Sequence, residues 1–114
     1  MQYRGRMQGL ASNHPEAERS IILAGEVAAG WMVVDRSGEA IHVVDIAILS
    51  EHRGAGAGSA AIGTLLDESD RTGRAVVLEV FAANPAQRLY ERLGFRKTGG
   101  NEVQNFLRRD PAGV

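Results

Sequence analysis

The chain has 114 residues, enough for one domain with a single modest core. Apolar residues make up 44% of it and charged residues 24%, which is typical of a globular protein rather than a disordered one. A formal net charge of −1 gives no field that would draw the chain onto nucleic acid or a membrane. The absence of cysteine excludes disulfides, a thiolate nucleophile and a thiolate zinc site.

No stretch approaches the roughly 18 consecutive apolar residues that a bilayer-crossing helix needs, and the first residues do not resemble a signal peptide. We therefore expect a cytoplasmic protein that binds neither nucleic acid nor membrane.

Three strands are predicted in the first half of the chain. Ser20–Ala24 and Val27–Val34 flank the turn Gly25-Glu26, and the apolar run Ile41–Leu49 follows the turn Asp35–Gly38. Short turns between consecutive strands predict an antiparallel meander.

In the second half of the chain, the spacing of apolar residues changes from the spacing of a strand to that of a helix. Residues Gly58 to Ser69 carry apolar side chains at helical spacing, and Ala75–Phe81 is a strand of branched residues. A short helix is predicted next, with Asn84 as its N-cap, Pro85 at its first position and Gly94 just past its end. Its inner face carries Ala86, Leu89, Tyr90 and Leu93.

Two closing strands, Phe95–Thr98 and Val103–Arg108, complete the order of elements. Residues 1–114 are thus expected to form one α/β (α+β) domain, with a mixed, mostly antiparallel central sheet and flanking helices.

A glycine-rich loop, Arg53-Gly54-Ala55-Gly56-Ala57-Gly58, separates the third strand from the first helix. Strand, glycine loop and helix together present free backbone N–H groups and a positive helix terminus to a phosphate. A flexible turn would use the same residues. The dinucleotide pattern G-x-G-x-x-A also fits, with Glu79 about 20 residues on, but the loop follows a third antiparallel strand instead of opening a βαβ unit. A P-loop is excluded, since Gly-Lys-Ser/Thr is absent.

Two motifs in this order are specific. Arg53-x-x-Gly56-x-Gly58 resembles the Arg/Gln-x-x-Gly-x-Gly/Ala signature of the GNAT (Gcn5-related N-acetyltransferase) superfamily. The segment from Asn84 to Phe95, which ends in Tyr-x-x-Leu-Gly-Phe, resembles that family's second motif. The resemblance covers about residues 20–109 and implies a GNAT-like fold in which the strands Ile41–Leu49 and Ala75–Phe81 splay apart around pantetheine.

The resemblance also implies a set of residues that bind acetyl-CoA, with no metal. Backbone groups of Ile48 and Ser50 would bond the pantetheine amides, and Asn84 and Arg88 would contact the cofactor arm. The diphosphate would be held by N–H groups of the loop and helix start, namely Arg53, Gly54, Gly56, Ala57, Gly58 and Ser59.

Three catalytic candidates follow. Tyr90 matches the position of the general acid that protonates the departing thiolate, although a core tyrosine on an apolar helical face would look the same. Asp45 is the first candidate for the general base, because burial in an apolar strand would raise its pKa; Glu79, in the other strand, is the second. A backbone N–H at the end of Ile41–Leu49 would be the oxyanion donor.

The three histidines are not expected to form a metal site. By strict alternation His42 lies on the opposite strand face from Asp45 and packs or caps, while His14 and His52 are solvated loop residues.

The resemblance implies transfer of acetyl from acetyl-CoA to an amine of a small molecule or peptide by direct attack. A non-catalytic module that senses acyl-CoA is the alternative. The hairpin beginning near Ser20 has no first strand before it, and residues 1–19 can supply at most a remnant of the usual helical region, which leaves a bare sheet edge. Three explanations are open: a minimal family member, a start placed downstream of the true one, or a dimer that completes the site. Pairing of that edge in a homodimer is one way to cover it. Ser50 also stands where the family often has proline.

Overall fold

The computed structural model describes residues 14–112. Of residues 1–19, which were expected to supply at most a helix remnant, it describes only 14–19, and these form a turn and the start of the first strand. The elements within residues 14–112 are β1 (Glu18–Ala24), β2 (Val27–Asp35), β3 (Ile41–Ile48), α1 (Ala57–Thr72), β4 (Val76–Phe81), α2 (Gln87–Arg92), β5 (Arg96–Gly100) and β6 (Gln104–Arg109). Each predicted strand and helix in this range is confirmed, and α1 extends furthest beyond its prediction, ending at Thr72. Across the described residues no helix is long and apolar enough to cross a membrane.

The six strands form one sheet in the order β1-β2-β3-β4-β6-β5. Strand β3 pairs parallel with β4, and all other neighbours are antiparallel. The parallel pair is joined through α1, because parallel strands need a long crossover connection. The prediction of a mixed, mostly antiparallel sheet is confirmed.

The parallel pair diverges. Pairing between β3 and β4 runs only from Ile41↔Val76 to Val43↔Leu78. Beyond that point β3 continues to Ile48 and β4 to Phe81 without bonding to each other. The sheet therefore opens into a V, as the family resemblance implies.

Strand β3 carries a bulge opposite β2. Val34 pairs with Val43 and Val33 pairs with Asp45, so Val44 is an extra residue. The bulge resets the alternation of side chains, and the expectation that His42 and Asp45 lie on opposite faces is wrong. Both lie on the same face of the sheet.

The other face carries both helices and the core. Ile41, Val43, Val76, Leu78 and Leu107 form its floor and are buried. The apolar side of α1 packs on them as predicted, through Ala61, Ile62, Leu65 and Leu66. Ser69, one turn further along α1, is also fully buried, and its hydroxyl has no hydrogen-bond partner among the described residues.

Two arginines fix α1 and its C-terminal loop to the hairpin β2–β3. Arg36 makes a two-pronged pair with Glu68 on α1, at 2.7 and 2.9 Å. Arg74, just after α1, donates to the carbonyl oxygens of Arg36 and Gly38 at 2.6 and 2.7 Å. These contacts hold the β2–β3 turn against the crossover that leads into β4.

The start of α2 differs from the prediction. The helix begins at Gln87, with Ala86 at the N-cap position, so Asn84 is not its N-cap. Asn84 Oδ1 instead accepts the N–H of Ala86 at 2.8 Å and closes the preceding turn. The end is as predicted, since Gly94 takes a φ of 98° just past the helix.

Candidate active site

The V between β3 and β4 forms a cleft with a volume of about 450 Å³. Its walls come from β3, from the last residues of β4, from the start of α1 and from α2. It brings together seven of the residues singled out in the sequence, namely Asp45, Ile48, Arg53, Gly58, Glu79, Asn84 and Tyr90. Most of the remaining lining is aliphatic, so the cleft combines an apolar wall with a few polar groups.

The glycine loop forms the mouth of the cleft beside Ile48. After the short 3₁₀ turn Ser50–His52, the chain reverses through Gly56, which has a φ of 86° and precedes the first residue of α1. The first intrahelical bond is donated by Ala60 N–H to the Gly56 carbonyl, so the N–H groups of Ala57, Gly58 and Ser59 have no acceptor within the helix. Three backbone N–H donors therefore lie together at the positive end of the α1 dipole, next to the loop.

Gly58 shows why a small residue is needed beside the cleft. A Cβ at this position would stand 3.7 Å from Cγ1 of Ile48, in van der Waals contact with the cleft wall. A longer side chain would project from that point into the space between the loop and β3. The loop is thus open to a ligand because glycine occupies it.

Arg53 lies across the cleft mouth. Its Nε donates to the carbonyl oxygen of Ile48 at 3.1 Å. Leu49 N–H donates to Ala29 on β2, so by strand alternation the backbone groups of Ile48 face the cleft. The Ser50 carbonyl accepts the N–H of Arg53 within the 3₁₀ turn. Of the two backbone positions proposed for pantetheine, Ile48 faces the cleft and Ser50 uses its carbonyl locally.

Tyr90 is presented to the cleft from α2 and is only 6% exposed. Its ring meets Phe95 edge to face, with centroids 5.6 Å apart, which fixes its orientation. Burial raises the pKa of the Tyr90 phenol above its ordinary value, so the hydroxyl keeps its proton at neutral pH. The residue is part of the core and also carries a protonated hydroxyl at the cleft wall.

Asp45 lines the cleft from β3 and is half-buried. Its Oδ2 accepts the indole N–H of Trp31 on β2 at 2.9 Å. Trp31 and Asp45 share the sheet face opposite the helices, where the bulge places them together. Sequence reasoning missed Trp31, because its contact with Asp45 depends on the register that the bulge sets.

Glu79 lies on the same face, next to His42. Oε1 of Glu79 is 3.5 Å from Nε2 of His42, and the Glu79 side chain is 41% exposed. Burial lowers the pKa of His42, an effect that the charge of Glu79 partly offsets. His14 is not a solvated loop residue as expected, since its Nδ1 bonds Asp35 at 2.9 Å and its side chain is only 23% exposed.

Arg88 is exposed on α2 and does not line the cleft. Gln104 on β6 does line it and was not predicted, because its place follows from β6 inserting between β4 and β5. Within residues 14–112 no three His, Cys, Asp or Glu side chains are arranged to hold a metal ion.

The sequence profile of the Acetyltransferase (GNAT) family matches residues 3–95, which include the glycine loop, both diverging strands and α2. The chain belongs to this family. Membership implies an acyl-CoA-dependent N-acetyltransferase as the class of protein. No curated protein sequence gives a significant match.

Solved structures share the fold. The ribosomal-protein-S18-alanine N-acetyltransferase from Escherichia coli superposes with a TM-score of 0.78 at 22% identity, over 94% of this chain and 77% of its own. Nourseothricin acetyltransferase superposes with a TM-score of 0.69 at 27% identity, over 84% of this chain and 66% of its own. A GNAT family acetyltransferase from Elizabethkingia anophelis with acetyl-CoA bound superposes with a TM-score of 0.75 at 14% identity, over 90% of this chain and 82% of its own. These likenesses confirm the predicted fold class.

Proposed function

We propose that this chain transfers the acetyl group of acetyl-CoA to a primary amine of a small molecule or peptide by direct attack. The observation that carries the proposal is the cleft: β3 and β4 separate after Val43↔Leu78, and the gap has the glycine loop at one end and Tyr90 on its wall. Two of the similar structures bear the names of enzymes for a ribosomal protein alanine and for nourseothricin, which supports keeping both acceptor classes.

Acetyl-CoA would lie along β3 with its diphosphate at the start of α1. The N–H groups of Ala57, Gly58 and Ser59 would hold the phosphate oxygens, together with those of Gly54 and Gly56. The N–H of Arg53 is bonded to the Ser50 carbonyl, so Arg53 would contribute its guanidinium instead of its backbone. The cleft-facing backbone of Ile48 would bond a pantetheine amide as an added strand would. Asn84 lines the cleft near its other wall, whereas Arg88 would need to reach in from the exposed side of α2.

The chemistry needs orientation, an oxyanion donor, a base and an acid. The amine nitrogen forms a bond to the thioester carbon, a backbone N–H at the end of β3 stabilises the carbonyl oxygen, and the C–S bond breaks. Tyr90 gives its proton to the departing thiolate. A phenol with a raised pKa is still protonated at neutral pH, as this role requires.

We assign the base to Glu79 in preference to Asp45, which reverses the order suggested by the sequence. The Asp45 carboxylate is held by the Trp31 indole, whereas Glu79 is 41% exposed where the strands part. Glu79 also lines both the cleft and a second groove of about 330 Å³ on the opposite sheet face. An amine arriving from that face would meet Glu79 before the thioester.

Calorimetric titration of acetyl-CoA tests the cofactor half of the proposal with a matched pair of variants. Gly58→Glu places a carboxylate at the start of α1, and Gly63→Glu places the same group on the same helix, where a Cβ meets nothing within 4 Å. Both replace a helical glycine without positive φ, so neither should lower stability. We expect Gly58→Glu alone to lose binding. Equal affinity in both variants would refute a diphosphate site at this loop.

An acceptor screen tests the catalytic half, with release of free thiol as the readout. Glu79→Gln and Tyr90→Phe should bind acetyl-CoA normally and turn over slowly. Binding by wild type without thiol release across a broad panel of amines would favour the non-catalytic acyl-CoA module over the enzyme.

A further inference from the structure

Four titratable side chains form a row across β2, β3 and β4 on the sheet face opposite the helices. Asp35 bonds His14, the His14 ring meets the His42 ring edge to face at 4.8 Å, and Nε2 of His42 stands 3.5 Å from Oε1 of Glu79. Strand register builds the row: His42 pairs with Asp35 on one side and with Val77 on the other, and Glu79 lies two residues beyond Val77.

The row ends at the cleft. Glu79 lines both the cleft and the groove on the opposite face, and His42 lines the groove. The His42 side chain is 25% exposed, so it reaches solvent without leaving its place in β3. A proton taken up in the cleft therefore has a route through Glu79 and His42 to the surface.

We propose that His42 is the positioning partner of Glu79: the unprotonated Nε2 of its neutral ring faces the carboxyl group at the cleft and receives the proton that Glu79 removes from the amine, which leaves an imidazolium paired with the carboxylate. This inference rests on the proposed function. The reaction must lose one proton overall, because an ammonium group and a thioester become an amide and a thiol. In balance, the first proton leaves the ammonium nitrogen for Glu79 and passes through His42 to solvent. The second leaves the nitrogen as the C–N bond forms and the C–S bond breaks, and it replaces the proton that Tyr90 gives to the departing thiolate.

The surroundings of His42 favour a neutral ring that can accept a proton. Burial lowers the pKa of His42, and the charge of His14 adds to the lowering, while Glu79 and Asp35 oppose it. Arg108 on β6 also lines the groove, and its guanidinium bonds Asp110 at 2.8 Å. A histidine that served only to fill space in the sheet would not need its ring nitrogen directed at the carboxylate of Glu79.

The test compares pH profiles of kcat/KM for wild type, His42→Gln and Glu79→Gln, with the best amine from the screen. In His42→Gln the new side-chain amide can still donate a hydrogen bond to Glu79 but cannot carry a proton. The acid limb of the wild-type profile should reflect the coupled pair, and in His42→Gln it should move down by about one unit or more, because no imidazole remains to take up the proton. The rate near neutral pH should fall about five- to tenfold. In His14→Gln, which changes the neighbouring ring but not the contact between His42 and Glu79, the rate near neutral pH should stay within about twofold of wild type.

An acid limb at the same pH in His42→Gln as in wild type would overturn the proposal, whatever happened to the rate. A second measurement needs no acceptor: NMR titration of the His42 ring in wild type and in Glu79→Gln. Loss of the Glu79 charge should lower the pKa of His42 by about half a unit or more, whereas Glu102→Gln in the β5–β6 turn should leave it unchanged. An unchanged His42 titration in Glu79→Gln would also overturn the proposal. Failure of the proposed function is seen separately, as absence of acetyl-CoA binding or of thiol release by wild type.

Discussion

Arg53 gives the sharpest test of the cleft, because its guanidinium has two competing partners. In the structure its Nε bonds the Ile48 carbonyl, which is the group proposed to accept a pantetheine N–H. With acetyl-CoA bound, the same guanidinium is expected to turn toward the diphosphate. Replacing Arg53 by Ala should therefore weaken the binding of a ligand that has phosphates and strengthen the binding of one that lacks them.

The magnitudes follow from the exposure of Arg53. A contact between exposed charges contributes about 0.5–1 kcal/mol, but CoA must also displace the guanidinium from Ile48 at a cost of about 0.5 kcal/mol, so Arg53→Ala should weaken CoA binding by up to about twofold. Pantetheine gains nothing from the guanidinium and must displace it from Ile48. Loss of one exposed hydrogen bond at 3.1 Å, worth about 0.5 kcal/mol, should tighten pantetheine binding about twofold.

Calorimetry with CoA and NMR titration with pantetheine measure the two affinities, and Lys97→Ala on edge strand β5 removes one positive charge as the control. The CoA effect should shrink at high salt, since it is electrostatic, and the pantetheine effect should not. If Arg53→Ala changes both affinities in the same direction, Arg53 does not exchange between the two partners.

The remaining predictions concern catalysis and stability. Tyr90→Phe should lower kcat about 100-fold or more with little change in acetyl-CoA affinity, which steady-state kinetics and calorimetry would measure. Arg74→Ala should lower the free energy of unfolding by about 2 kcal/mol in urea titrations, because it frees carbonyl oxygens of the β2–β3 turn, and Arg74→Lys should recover only part of that loss. Ser69→Ala should raise it by about 1 kcal/mol, since it removes a buried hydroxyl without a partner and improves helix propensity; a decrease would mean that the hydroxyl is bonded. A hydrogen bond from Arg36 lowers the pKa of Glu68 below its ordinary 4.5, so the stabilisation by this pair is complete above that pH and is lost as pH falls through the lowered pKa. Glu68→Gln should thus be less stable than wild type near pH 7 and approach it in acid, and a gap that stays constant with pH would contradict this.

Local patterns were enough to predict the elements. Apolar side chains at helical spacing marked α1, and Gly94 marked the end of α2, because these signals depend on neighbours within a few residues. Asn84 shows the limit of such signals. Its side chain does bond a nearby N–H, but to close a turn before the helix and not to cap the helix itself.

The two family motifs also predicted much of the cleft. Arg53, Gly58, Asn84 and Tyr90 meet there although 37 positions separate the first from the last. They meet because the crossover through α1 makes β3 and β4 parallel neighbours, so that residues following each strand come to the same end of the sheet.

The sequence by itself determined the order of strands and helices, the glycine loop at the start of α1 and the family to which the chain belongs. Only the tertiary structure decided which polar side chains face one another. The bulge at Val44 turned Asp45 to the face of His42 and brought it to Trp31, and strand pairing set His42 beside Glu79. A one-residue change in register moves every following side chain to the other face, and register is set by contacts between strands rather than within them.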